Sequence, residues 1–258
     1  MVSRVRIPPA PQMKLVSINI ELNKHHKTVL DFLKLQEPDV ICLQELLEND
    51  FEDFKKALGQ QGVFKSHTRV GKHSHLEDIE GKKEGVAIFA KNIIDSGSIY
   101  YEGSEENILK TYSEYLSNEE NNKNSVLLWI KTKNEEGEPY KFITTHVPVT
   151  KEGKSTPYQL AVIDTLSEKL DLLGEFVFCG DMNAPRGNEA FSRLAKKYKD
   201  NIPLEYKTSL DQNLHRVKNL QNMVDGLFTT PAYNASNVKL LDGISDHMAI
   251  VADINKDY

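Results

Sequence analysis

Asp181 and Asn183 stand just past a short apolar run, residues 176–179, in the stretch Gly180-Asp181-Met182-Asn183. A carboxylate can bind a divalent cation or take a proton from water. A carboxamide beside it can hold the nucleophile or an anionic oxygen, and the two together suit attack on phosphorus. Residues two apart in an extended segment point the same way, so both would face one site. The same stretch also reads as a turn closed by an Asx hydrogen bond. The chain then repeats the arrangement. Asn19 interrupts the first apolar run, Glu45 follows residues 40–44, and Glu84 precedes residues 85–89. His146 follows residues 142–145, Asp225 lies within residues 223–228, and Ser245-Asp246-His247 precedes the last run. Any one of these reads equally well as a solvated strand end; the series points to one polar rim.

The elements that must position this rim are legible as alternating strand and helix patterns. Strands are expected at residues 14–20, 39–44, 63–70, 85–91, 126–132, 140–145, 176–179, 224–229, 238–241 and 248–254. A first helix capped by Asn23 carries Val29, Leu30, Leu33 and Leu35 and ends before Pro38; a second, capped by Asp50, stops at Gly59. Residues 158–173 and 188–199 are amphipathic. Residues 71–84 and 102–124 read as polar surface excursions, and residues 1–12, rich in proline, as a flexible extension before a single domain at 13–258. Strands with hairpins and intervening helices, in two similar halves, suggest an α/β protein of two packed sheets with helices outside.

Composition narrows the function. At 258 residues the chain can build one substantial core, and 39% hydrophobic with 27% charged residues suits a globular protein. The net charge of −6 argues against a broad basic surface for nucleic acid. No apolar run approaches the roughly 18 residues of a membrane span. Cys42 and Cys179, both inside apolar runs, read as buried hydrophobes without a disulfide framework, which fits a reducing, cytoplasmic setting.

In order and type, Asn19, Leu43-Gln44-Glu45, Glu84, Thr145-His146, Gly180-Asp181-x-Asn183, Val224-Asp225 and Ser245-Asp246-His247 resemble the endonuclease/exonuclease/phosphatase superfamily, over residues 14 to about 254. The resemblance implies a four-layer αββα sandwich of two mixed or antiparallel sheets, with its site at one rim. It implies Mg²⁺, with Mn²⁺ able to substitute, held by Glu45 with Asn19 and with Asp246 also in reach. Asp181 would activate water, Asn183 would hold water or phosphate, and His247, set by Asp225 or Asp246, would face the phosphoryl oxygens. His146 would be a second phosphate-facing histidine with Glu84 as its carboxylate partner. His215 and Arg216 fall where a substrate contact is expected. Leu46-Leu47 depart from the Thr-Lys of abasic-site endonucleases, and no aromatic–basic array accompanies Arg186, Arg193 and Arg216, so DNA repair is not indicated.

The remaining candidates have plain readings. His25 and His26 open a helix and read as solvated, His67 as structural, and Trp129 as core. His73 and His75 lack the companions of a zinc site. The function expected is phosphodiester hydrolysis, leaning to a nuclease on DNA or RNA. The alternatives are a phosphatase or phosphodiesterase for small or lipid headgroup esters and, in another class, a catalytically silent binding module.

Overall fold

Residues 13–19 and 40–47 are buried almost throughout, the pattern of strands covered on both faces. The computed structural model describes residues 12–71, 78–108, 110–111 and 124–256. The expected N-terminal extension, apart from Gln12, and the pair His73 and His75 lie outside the described residues. β1 (Met13–Asn19) and β2 (Val40–Leu47) pair in parallel, with α1 (His26–Gln36) crossing between them. α1 begins later than an Asn23 cap would place it, because Glu21 and Leu22 take left-handed φ angles of 51° and 60° and form a turn first. His25 and His26, expected to be solvated, are half-buried there: His25 meets Glu21 at 2.9 Å and His26 packs its ring on Phe54.

α2 (Phe51–Leu58) leads to β3 (Gln61–Val70), β4 (Lys83–Ala90), β5 (Ile93–Glu102) and the short β6 (Lys110–Thr111). β7 (Ser125–Lys133) and β8 (Pro139–His146) form a hairpin, and α3 (Pro157–Asp171) crosses from β8 to its parallel neighbour β9 (Val177–Asp181). Thr156 caps α3 by accepting from the Gln159 N–H, with Pro157 in the first turn. The chain closes with α4 (Glu189–Lys197), β10 (Lys199–Asp200), β11 (Asp225–Thr229), β12 (Tyr233–Leu241) and β13 (Ala249–Lys256).

The strands form two mixed sheets, β12-β13-β1-β2-β4-β3-β6 and β10-β11-β9-β8-β7-β5. Leu15, Cys42 and Ile88 from the first sheet meet Leu128, Phe142 and Cys179 from the second in one inter-sheet core. Val29, Leu33 and Phe54 cover the first sheet's outer face, and Ile163, Leu166, Phe191 and Leu194 the second's. The result is the four-layer αββα sandwich that the resemblance implies.

Three departures from the sequence reading have local causes. β5 is a half-exposed edge strand, and its Asp95-Ser96-Gly97-Ser98 centre breaks the apolar pattern a reader looks for. Trp129, expected in the core, is half-buried on the second sheet's outer face; a Cβ on Gly97 would stand 2.6 Å from its ring. Finally, β2 runs on through Glu45 as a bulge rather than ending before it. Against β4 its register slips between Leu43 and Leu46, and Glu45 takes φ 58°.

Candidate active site

The parallel pairs β1–β2 and β8–β9 end at the same rim, which is why residues far apart in sequence meet there. Asn19 faces Gln44 in register at the ends of β1 and β2, and His146 faces Asp181 at the ends of β8 and β9. Asp225 opens β11 directly opposite Asp181. Each crossover therefore delivers its strand-end side chains to one edge, the usual place for a site in such sheets. Gly180 makes this possible, since a Cβ there would lie 2.2 Å from the Thr145 carbonyl oxygen on β8.

Asp181 is the centre of the cluster. Its Oδ2 accepts from Asn19 Nδ2 at 3.2 Å and its Oδ1 from the Asn183 backbone N–H at 2.8 Å. Strand alternation is not what brings Asn183 to the site. β9 ends at Asp181, and Asn183, at φ 46°, folds back in an Asx turn. The Asn183 NH₂ group donates to the Val147 carbonyl at 2.9 Å, which fixes the amide's orientation. The same group is 2.9 Å from His146 Nε2, which ties the imidazole to the Asx turn.

Asn19 joins the two sheets. Its NH₂ group also donates to Glu45 Oε1 at 3.1 Å, while its oxygen accepts from the Glu21 N–H at 3.1 Å. Expected as a metal ligand, Asn19 turns its donor rather than its oxygen toward the two carboxylates. Glu45 Oε1 lies 3.8 Å from His146 Nε2, and its side chain keeps 23% exposure where Asp181 keeps 2%.

His247 Nδ1 pairs with Asp225 Oδ2 at 2.8 Å, and its Nε2 lies 3.8 Å from Asp181 Oδ2. Segment 209–211 holds this pair in place. Ser209 Oγ accepts the Val224 and Asp225 N–H groups, and Met248 N–H donates to the Ser209 carbonyl at 2.7 Å. Asp211 accepts backbone N–H bonds from Asn213, Leu214 and Gly243, tying its loop to the one that carries Asp246 and His247. Burial alone would raise the Asp211 pKa; the three N–H donors and Lys218 overcome it and leave the carboxyl below its ordinary value.

The cluster's charges are strongly perturbed. Burial lifts the Asp181 carboxyl to about 6, with the His247 charge opposing and the Asp225 charge adding to the shift. Burial also works against charge on His247, but Asp225 and Asp181 outweigh it and hold the imidazolium to well above its ordinary pKa. Perturbed acids and imidazoles gathered at a rim are the mark of a site built for proton and charge work.

Glu84 is buried on β4, opposite Leu47 and Thr68 in register. The ring packed on His146 is that of His67, edge-on at 5.5 Å; His67 is the extra residue of a bulge in β3. Asp246 Oδ1 accepts from the Ser245 hydroxyl at 3.2 Å. His215 and Arg216 lie on the outer part of loop 211–222, where His215 Nδ1 accepts from the Val217 N–H at 3.2 Å. Ser209 and Asp211 escaped the sequence reading, and His67 was read there only as structural. An Asp-x-Asn spacing announces an Asx turn at Asp211, but nothing local announces the other two.

Two packed mixed sheets with helices outside and a carboxylate–imidazole–amide cluster at one rim define a phosphoesterase architecture. The model of the endonuclease/exonuclease/phosphatase family matches residues 16–247. The chain belongs to that family and is a phosphoester hydrolase. Three solved structures share the fold. One is an endonuclease/exonuclease/phosphatase family protein from Bacteroides thetaiotaomicron, at 15% identity and TM-score 0.72, covering 96% of this chain and 99% of that one. A second is mannosyl-6-phosphatase from the same organism, at 14% and 0.69 over 94% and 99%. A third is TDP2 of D. rerio complexed with a single-strand DNA product, at 15% and 0.66 over 95% and 99%. No curated protein matches the sequence. Among the described residues, no helix is long and apolar enough to cross a membrane.

Proposed function

We propose that the chain is a divalent-metal-dependent phosphodiesterase acting on nucleotide esters, with nucleic acid among its substrates. One observation carries the hydrolytic part of this reading: the rim sets a buried base, Asp181, between an amide on each side and opposite the Asp225-oriented His247. Asp181 takes the proton of the attacking water, and Asn183, with its NH₂ group engaged by Val147 and His146, holds that water through its amide oxygen. His247, kept charged by Asp225, meets the charge that develops on phosphorus. His146 adds a second imidazole beside Asn183.

The donor set suits a hard cation. It is rich in carboxylate oxygen and has no thiol, both cysteines being buried between the sheets. Asp181, Asp225 and His247 each bring a ligand atom within 4.8 Å of the others. His247 and Asp225 are nevertheless engaged with one another, so Glu45, the more exposed carboxylate, is the better holder, with Asp246 as the second. Mg²⁺ or Mn²⁺ there supplies positive charge to the phosphoryl oxygens.

The reading is tested on methyl p-nitrophenyl phosphate with Mg²⁺, with Mn²⁺ and with EDTA. Metal-dependent release of p-nitrophenol is expected, with kcat lowered at least about 10²-fold in Asp181→Asn and His247→Ala. Full turnover in EDTA, or in either well-folded variant, would remove the assignment.

A further inference from the structure

A cavity of about 330 Å³ lies between loop 203–208, residues 221–223 and the turn after Asn183. Its walls belong to the strands that carry the chemistry. Met182 N–H donates to the Val224 carbonyl and Arg186 N–H to the Met223 carbonyl, extending the pairing of Asp181 with Asp225 up to the cavity. The Ser209 and Thr208 donors on the Asn222 carbonyl fix the opposite wall. The cavity thus lies beyond the ends of β9 and β11, along the segments that run on from Asp181 and Asp225.

The lining states what that group is. Arg186 is spent internally, on Asp200 at 2.8 Å and on the carbonyls of Ile202 and Pro203. Lys207 bonds the Leu204 carbonyl and remains the one cation without an acidic partner in this lining. So little charge does not favour a second polyanion here. The side-chain amides of Gln221 and Asn222 line the cavity with no hydrogen bond inside the described protein, and Tyr206 lies beside them with its ring half-buried. A carboxamide offers a donor and an acceptor side by side, which matches the edge of a base, and an aromatic ring matches its face.

Resting on the phosphodiesterase reading, we propose that this cavity binds the nucleobase of the ester, so that Tyr206, Gln221 and Asn222 set specificity for nucleotidyl substrates. The test compares p-nitrophenyl 5′-adenylate with methyl p-nitrophenyl phosphate, which has no base. In Gln221→Ala/Asn222→Ala and in Tyr206→Leu, KM for the adenylate ester should rise about tenfold or more while kcat/KM for the methyl ester stays within about twofold. Equal effects on both esters, no effect on either, or a preference for a p-nitrophenyl sugar phosphate over the adenylate would overturn the proposal. If neither ester turns over, the phosphodiesterase reading is what has failed. The cavity is then judged by AMP titration followed by NMR. Shifts centred on Tyr206, Gln221 and Asn222 support the base site, and their absence removes it.

Discussion

Asp181 carries opposed requirements. The fold encloses it, Asn19 and the Asn183 N–H hold its charged form, and burial still leaves its carboxyl near 6. A carboxyl whose pKa is raised by folding favours the protonated native state. Its contribution is therefore full in acid and is lost as pH rises from about 4 through 6. Asp181→Asn removes that loss. Relative to the parent, the variant should gain roughly 1–3 kcal/mol of stability between pH 4.5 and pH 7.5, read by urea unfolding at both values. A difference that is flat with pH would mean the carboxyl is not held up by burial. His247 has the same sign in another window: its raised pKa stabilises the fold below about 6.5, and that support fades only as pH climbs through the native value. At neutral pH an ionised base and a charged imidazole can therefore coexist. At this scale the sequence was readable where a residue type declares chemistry, as in Asp181, His247 and Glu45. It was silent on Ser209 and gave His67 only a structural reading, since the roles of both come from neighbours brought in by other strands.

Among the elements, the two parallel crossovers and their glycine do most to build the rim. β9 passes between β8 and β11 so closely that Gly180 admits no side chain. Gly180→Ala must either part β8 from β9 or twist Asp181 out of line, because the obstructing atom is backbone. It should cost about 2–4 kcal/mol in denaturant unfolding and lower activity even at temperatures where the protein stays folded. A stable, active variant would show that β9 tolerates a register the structure does not contain. Most strands were legible because burial on both faces writes an unbroken apolar run, as at residues 40–43 and 176–179. β5 was not, since an edge strand buries little and its polar centre mimics a loop. Bulges were equally hidden. The left-handed Glu45 and the extra His67 answer to β4 across the sheet, and no local pattern marks either position.

At the scale of the molecule, the site is a junction between two sheets. Glu45 belongs to the first and Asp181 to the second, and the Asn19 amide is the hydrogen bond that joins them at the rim; deeper down, Gln44 donates to Thr144 Oγ1 at 2.9 Å across the same gap. Carboxylates from two layers that share one neutral donor leave room for a cation's charge between the layers. A divalent ion bound by the native state alone must raise stability by mass action, about 2.7 kcal/mol at a hundred times its dissociation constant. For a chain of this size that corresponds to roughly 5–10 °C in Tm. Mg²⁺ or Mn²⁺ should therefore raise Tm at pH 7.5, with a smaller rise at pH 5, where protons occupy Asp181. Glu45→Gln should abolish most of the shift without unfolding the protein, since Glu45 stands half-exposed at a bulge. Scanning calorimetry of the parent, Glu45→Gln and Asp246→Asn separates the ligands without reference to turnover. An unchanged Tm in the parent would remove the cation from this rim, and an undiminished shift in Glu45→Gln would move it to the Asp181–Asp225–His247 group instead.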